Sequence, residues 1–290
     1  MDDLKKSDSL ENKTGERPWP PAGIDWYYSD KYTAIACGDC LEIMPELEPP
    51  VDMILCDLPY GTTACSWDTV IPFEPLWKQY KRLIKDNGAI VLTASQPFTS
   101  ALVMSNIEMF RYEWIWDKKN PTNFASANKI PLKYHENIVV FYKKSVIYNP
   151  IKWKGNQNHG QGKSEGATRK TMGAKTMKRA PDDFSGMKFP RSIIEFSKNS
   201  SQCGLHPTQK PVALFEYLIK TYTNEGDTVL DNCMGSGTTL VAAKQLNRKA
   251  IGIEIREKYC EIAVKRLLQM PIEFPLEKTE KKEVQEILYQ

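Results

Sequence analysis

Along the chain, short apolar runs alternate with stretches in which apolar residues recur every three or four positions. The runs are rich in Val and Ile and stop at polar or small residues, as buried strands do. They predict strands over 32–39, 51–57, 88–95, 112–118, 136–143, 227–232 and 249–255. The helical period predicts helices over 75–86, 99–110, 211–223, 238–246 and 257–268. Strands alternating with helices build a mostly parallel sheet covered on both faces, so the expected fold is a doubly wound α/β domain with seven strands. No helical pattern separates 112–118 from 136–143, and these two strands are expected to pair as an antiparallel hairpin at the sheet edge.

Between residues 143 and 205 the periodic pattern stops. That segment holds 13 Lys and Arg against four acids, so a chain with a net charge of only +3 carries +9 there and −6 elsewhere. A loop-rich basic surface suits a polyanion, with Trp153, His159 and Phe184 available to stack or wedge; a solvated insertion is the plain alternative. Hydrophobic residues make up 41% of the chain, enough for a large core. The polar, acidic N-terminus does not read as a secretion signal, and no apolar run reaches bilayer length, which predicts a cytoplasmic protein. Seven scattered cysteines do not form a disulfide framework, and the Cys37–Cys40 spacing lacks the second pair that a zinc site needs, so no metal is expected.

Two strand ends look useless for packing. The run 228–246 goes from an apolar strand into Asp231, then a turn with Gly235, Ser236 and Gly237, then a helix opening at Thr238 and Thr239. Small residues admit a ligand to the backbone, and the free N–H groups of a helix start can donate to it. About 20 residues on, the next strand delivers Glu254, the expected place for an acid that accepts ribose hydroxyls. The turn lacks the Lys of a phosphate-binding loop and the third glycine of a dinucleotide loop, so a nucleoside without a pyrophosphate, such as S-adenosylmethionine, fits best. The other strand ends in Asp57-Leu58-Pro59-Tyr60-Gly61. An exocyclic amino group donates two hydrogen bonds. The Asp57 carboxylate and the Leu58 carbonyl can accept them while the ring stacks on Tyr60 and Pro59 stiffens the turn.

These residues resemble the amino-directed DNA methyltransferases in their permuted β arrangement. Asp57-Leu58-Pro59-Tyr60 is similar to the catalytic motif of that family, and Asp231 to Thr238 to its cofactor motif. The stretch 206–211, His-Pro-Thr-Gln-Lys-Pro, is similar to the segment that precedes the cofactor strand, and Gly38-Asp39-Cys40 to the stretch beside the cofactor adenine. Ser95-Gln96-Pro97-Phe98 and His135-Glu136-Asn137 also look like family blocks. The order, catalytic motif first and cofactor motif last, is that of the β group, over roughly 32–268. Two positions depart from the pattern: Leu58 and Asn232 stand where proline is frequent, which touches loop geometry rather than chemistry.

The resemblance implies a circularly permuted, Rossmann-like methyltransferase sheet over 21–142 and 206–270. It implies a target-recognition segment at 143–205, a flexible N-terminus over 1–20 and a charged tail over 271–290. It implies S-adenosylmethionine as cofactor and double-stranded DNA as partner, with no membrane, and leaves a homodimer open. Asp39 and Cys40 would lie near the adenine, Glu254 on the ribose, and Lys210 and Thr238 near the methionine end. Gly235 to Gly237 would lie beneath, with Asp57, Asp231 and Thr239 also at the cofactor. Asp57, Leu58, Pro59 and Tyr60 would be catalytic, acting on the N6 amine of a flipped-out adenine; Asp rather than Ser at position 57 favours adenine over cytosine. A cytosine, RNA or protein-glutamine amino group is the alternative target, and a nicotinamide-dependent oxidoreductase or a non-catalytic DNA-binding module the alternative class.

Overall fold

The computed structural model describes residues 18–48, 50–62, 68–155, 186–197 and 209–269. The chain enters through β1 (Tyr28–Ser29) and β2 (Thr33–Cys37), turns through α1 (Cys40–Ile43), and crosses the molecule in β3 (Val51–Asp57). There follow α2 (Phe73–Leu83), β4 (Ile84–Ala94), α3 (Phe98–Ser105), β5 (Phe110–Thr122) and β6 (Lys133–Phe141). β7 (Trp153–Lys154) and β8 (Met187–Lys188) form a separate two-stranded ribbon, and β9 (Ile193–Glu195) returns to the main sheet. The last part is α4 (Val212–Tyr222), β10 (Thr228–Asp231), α5 (Thr238–Gln245), β11 (Lys249–Glu254) and α6 (Glu257–Leu268).

The sheet runs β1-β2-β11-β10-β3-β4-β6-β5-β9. Its centre, β2 to β4 in that order, is parallel. β3 is buried along six of its seven residues, the near-continuous apolar run of a strand covered on both faces. Its side chains alternate: Met53 and Leu55 pack with α4, α5 and α6, whereas Ile54 and Cys56 pack with α1, α2 and α3. All seven expected strands are present. Two short edge strands, β1 and β9, raise the count to nine. The expected hairpin is antiparallel, but β6 is not at the edge: it lies between β4 and β5, antiparallel to both, and β9 covers the outside of β5. Five consecutive buried residues of β6, Asn137 excepted from the apolar set, explain this, because such a run needs neighbours on both sides. Part of the segment 143–205 therefore belongs to the main sheet, through β9.

Chain direction within the sheet decides where a ligand can sit. From β10 the path through α5 moves one strand outward to β11; from β3 the path through α2 moves the other way to β4. The order reverses between β10 and β3, and the crevice at the carboxyl ends of those two adjacent strands is the ligand site of such folds. Asp231 ends one strand and Asp57 the other.

Candidate active site

A cavity of about 700 Å³ opens at that crevice, in the size range of small-molecule sites. On the β3 side, Asp57 meets Thr93, its register partner on β4, and the Thr93 hydroxyl donates to Oδ1. The Tyr60 hydroxyl donates to the same oxygen at 2.8 Å. Lys210, buried just before α4, places Nζ 2.7 Å from both Oδ1 and Oδ2. Three donors thus converge on Oδ1 and one on Oδ2, so Oδ2 keeps a lone pair for a ligand N–H. Glu136 of β6 stands 3.4 Å from the Lys210 ammonium and 3.4 Å from that of Lys118. Burial alone would depress the Lys210 pKa, but Asp57, Tyr60 and Glu136 carry it well above the ordinary lysine value. The Tyr60 ring stacks on Phe98 at 5.3 Å, which fixes its plane; burial and the Asp57 charge keep its hydroxyl protonated.

The β10 side is organised around two carboxyls. Asp231 is buried, accepts from the Cys233 N–H at 3.1 Å and from the Thr239 hydroxyl, and has its pKa pushed up to about 7 by burial. Glu254, at the end of β11, accepts the Gly235 N–H at 3.0 Å on one oxygen and the Arg256 N–H at 2.9 Å on the other. Burial raises its pKa against those bonds, a further one from the Ile255 N–H and the Arg256 charge. The carboxylate ties down the turn and still faces the cavity. Gly235 adopts φ 50°, and Ser236 accepts from Arg266 through its carbonyl at 2.5 Å and its hydroxyl at 3.1 Å. Asp39 caps α1 by accepting the Leu41 N–H at 2.8 Å, and the Cys40 thiol lies 3.6 Å from the Asn232 amide.

Asp39, Cys40, Asp57, Leu58, Pro59, Tyr60, Lys210, Asp231, Gly235, Ser236, Thr238 and Glu254 all line this one cavity. Gly237 and Thr239 do not. Successive residues at a helix start rotate by about 100°, so Thr238 faces the cavity and Thr239 turns back onto Asp231. Gly237 is the left-handed N-cap of α5, at φ 76°, packed over Ala263. Lys210, expected at the methionine end of a cofactor, lines the same cavity and holds its ammonium on the Asp57 carboxylate, its charge partner. His206 and the charged tail fall outside the described residues, as do His159 and Phe184.

Other site residues were not singled out in the sequence. Thr93 was findable as the register neighbour of Asp57. Lys118 carries a sequence signal too, a cation at the end of an apolar strand. Phe98 and Glu136 sat inside recognised blocks without a stated role. Gln209 belongs to the 206–211 block: its amide lines the cavity with both polar atoms buried and without a partner among the described residues. A buried amide left open to a cavity, a glycine turn that admits backbone approach and a cavity-lining Glu254 carboxylate together fit an adenosine-type ligand. Among the described residues no helix is long and apolar enough to cross a membrane.

Comparison with known proteins agrees with this geometry. Residues 51–265 match the family model described as DNA methylase. The Type II methyltransferase M.HpaI of Haemophilus parainfluenzae is 28% identical over 80% of this chain and 73% of its own. The Type II methyltransferase M2.LlaDCHI of Lactococcus lactis subsp. cremoris is 28% identical over 83% of this chain and 91% of its own. Among solved structures, the M1.HpyAVI-SAM complex superposes with a TM-score of 0.57 at 27% identity, covering 81% of this chain and 98% of that one. A sheet whose order reverses between β3 and β10, and a family match running across both, place this chain in the DNA methylase family of amino-directed, S-adenosylmethionine-dependent methyltransferases.

Proposed function

We propose that the protein transfers a methyl group to the exocyclic N6 amine of an adenine extruded from double-stranded DNA, within the cytoplasm. The observation that carries this reading is the shared cavity: Asp57 and Tyr60 at the end of β3 face the same space as the Gly235 turn and Glu254. In this reading Glu254 accepts the ribose hydroxyls, Asp39 and Cys40 flank the adenine of the cofactor, and Gly235, Ser236 and Thr238 lie beneath it. Bound there, S-adenosylmethionine supplies an electrophilic sulfonium methyl.

The remaining work falls to Asp57 and its neighbours. The amine of adenine is a weak nucleophile because its lone pair is delocalised into the ring. As the nitrogen attacks it loses planarity and gains positive charge, so acceptors set around a pyramidal nitrogen bind the transition state better than the ground state. Asp57 Oδ2 and the Leu58 carbonyl are those acceptors. Lys210, Thr93 and Tyr60 hold the carboxylate still, so little reorganisation accompanies the reaction. The amine proton leaves to Asp57 or to water after transfer. Tyr60, backed by Phe98, offers its ring to the base and offsets part of the stacking lost on extrusion.

The test is expression in a methylation-deficient bacterial host followed by methylation-aware sequencing. The expected result is N6-methyladenine at one short sequence. N4-methylcytosine there would transfer the same geometry to the other base; unmodified DNA would overturn the reading.

A further inference from the structure

The hairpin joining β5 to β6 forms a wall of the cavity through Lys118, Thr122 and Lys133. Beyond these, the turn from Asn123 to Pro131 carries two large apolar side chains on its surface, Phe124 at 65% exposure and Ile130 at 53%. The turn is internally bonded. Ser126 N–H donates to Asn123 O at 2.9 Å, and Lys129 and Ile130 both donate to Ser126 O, at 2.9 and 3.0 Å. The Asn123 side chain clamps its neck, accepting from Lys133 N–H at 2.8 Å and donating to Pro131 O at 3.2 Å. A register shift between Asp117 and Thr122, with left-handed Lys119 (φ 64°) and Asn123 (φ 63°), re-aims the tip, as bulges beside active sites do. Residues 118–135 hold four lysines and no acid, a charge pattern that suits phosphates.

Exposed apolar side chains on an ordered basic loop, continuous with a pocket that has to receive a base, are arranged for entry into a base stack. We propose that this turn is a wedge: in the DNA complex that the reading above requires, Phe124, supported by Ile130, fills the stacking position that the target base vacates. Its role is positioning, since it touches the duplex and not the reacting atoms.

Once sequencing has supplied the recognition site, wild type and Phe124→Ala are compared by kcat/KM on two duplexes. One has the target base paired; the other has it opposite an abasic position, where it is already unpaired. The wedge predicts a loss of about tenfold or more on the paired duplex and little loss on the abasic one. Phe124→Leu should recover most of the paired-duplex rate, and calorimetric affinity for S-adenosylmethionine should stay unchanged in both variants. Equal losses on the two duplexes, or a wild-type rate on the paired one, would overturn the wedge. A wild type inactive on both duplexes would instead strike the DNA reading itself, and the wedge with it.

Discussion

Asp231 shows how a single buried carboxyl links structure to pH. Burial lifts its pKa from 3.8 to about 7, so the folded chain holds the proton more tightly than the unfolded chain does. The stability this brings is complete below about pH 4 and is lost as pH rises through about 7. Asp231→Asn removes the titration. Its unfolding free energy relative to wild type should therefore climb by roughly 2–4 kcal/mol between pH 4 and pH 8, followed by urea denaturation at each pH; parallel curves would contradict the assignment. At this scale the sequence was readable where a polar residue interrupts an apolar strand, as Asp57 and Asp231 do. Lys210 was readable only as a family position, because its contact with Asp57 spans 153 residues of chain.

The start of α5 illustrates the element scale. Gly237 and Gly226 both adopt left-handed backbone, at φ 76° and 84°, but a Cβ at 237 would lie 2.7 Å from the Ala263 Cβ, whereas one at 226 meets nothing within 4 Å. Gly226→Ala should cost about 1 kcal/mol, the backbone term alone. Gly237→Ala adds the overpacking of α5 against α6 and should cost about 2–4 kcal/mol in all. Urea midpoints of the two variants measure the difference, and equal losses would mean that the helix start has room to shift. Element type and order were legible because strand and helix periods differ. The insertion of β6 between β4 and β5 was not, because sheet neighbours are chosen by long-range packing that a local pattern does not encode. The facing of Thr238 and Thr239 was hidden for a related reason: the sequence marks a helix start without giving its rotation.

For the whole molecule, the two strand ends that the sequence set apart, 174 positions from Asp57 to Asp231, are made neighbours by sheet order alone. Permutation of the chain leaves that neighbourhood intact, since it depends on which strands pair and not on which comes first. The cavity then divides by strand. Residues from β10, β11 and α1 form the part assigned to the cofactor, and residues from β3, β5 and β6, with Ser95 just after β4, form the part assigned to the base, where Lys210 pairs with Asp57. This division is the central claim, and Asp57→Ala tests it most directly when transfer and cofactor binding are measured on the same purified protein. Transfer of labelled methyl to recognition-site DNA should fall by a factor of about 10³ or more, while calorimetric affinity for S-adenosylmethionine stays within about threefold of wild type. Methyl transfer at the wild-type rate, or cofactor binding lost together with transfer, would contradict it.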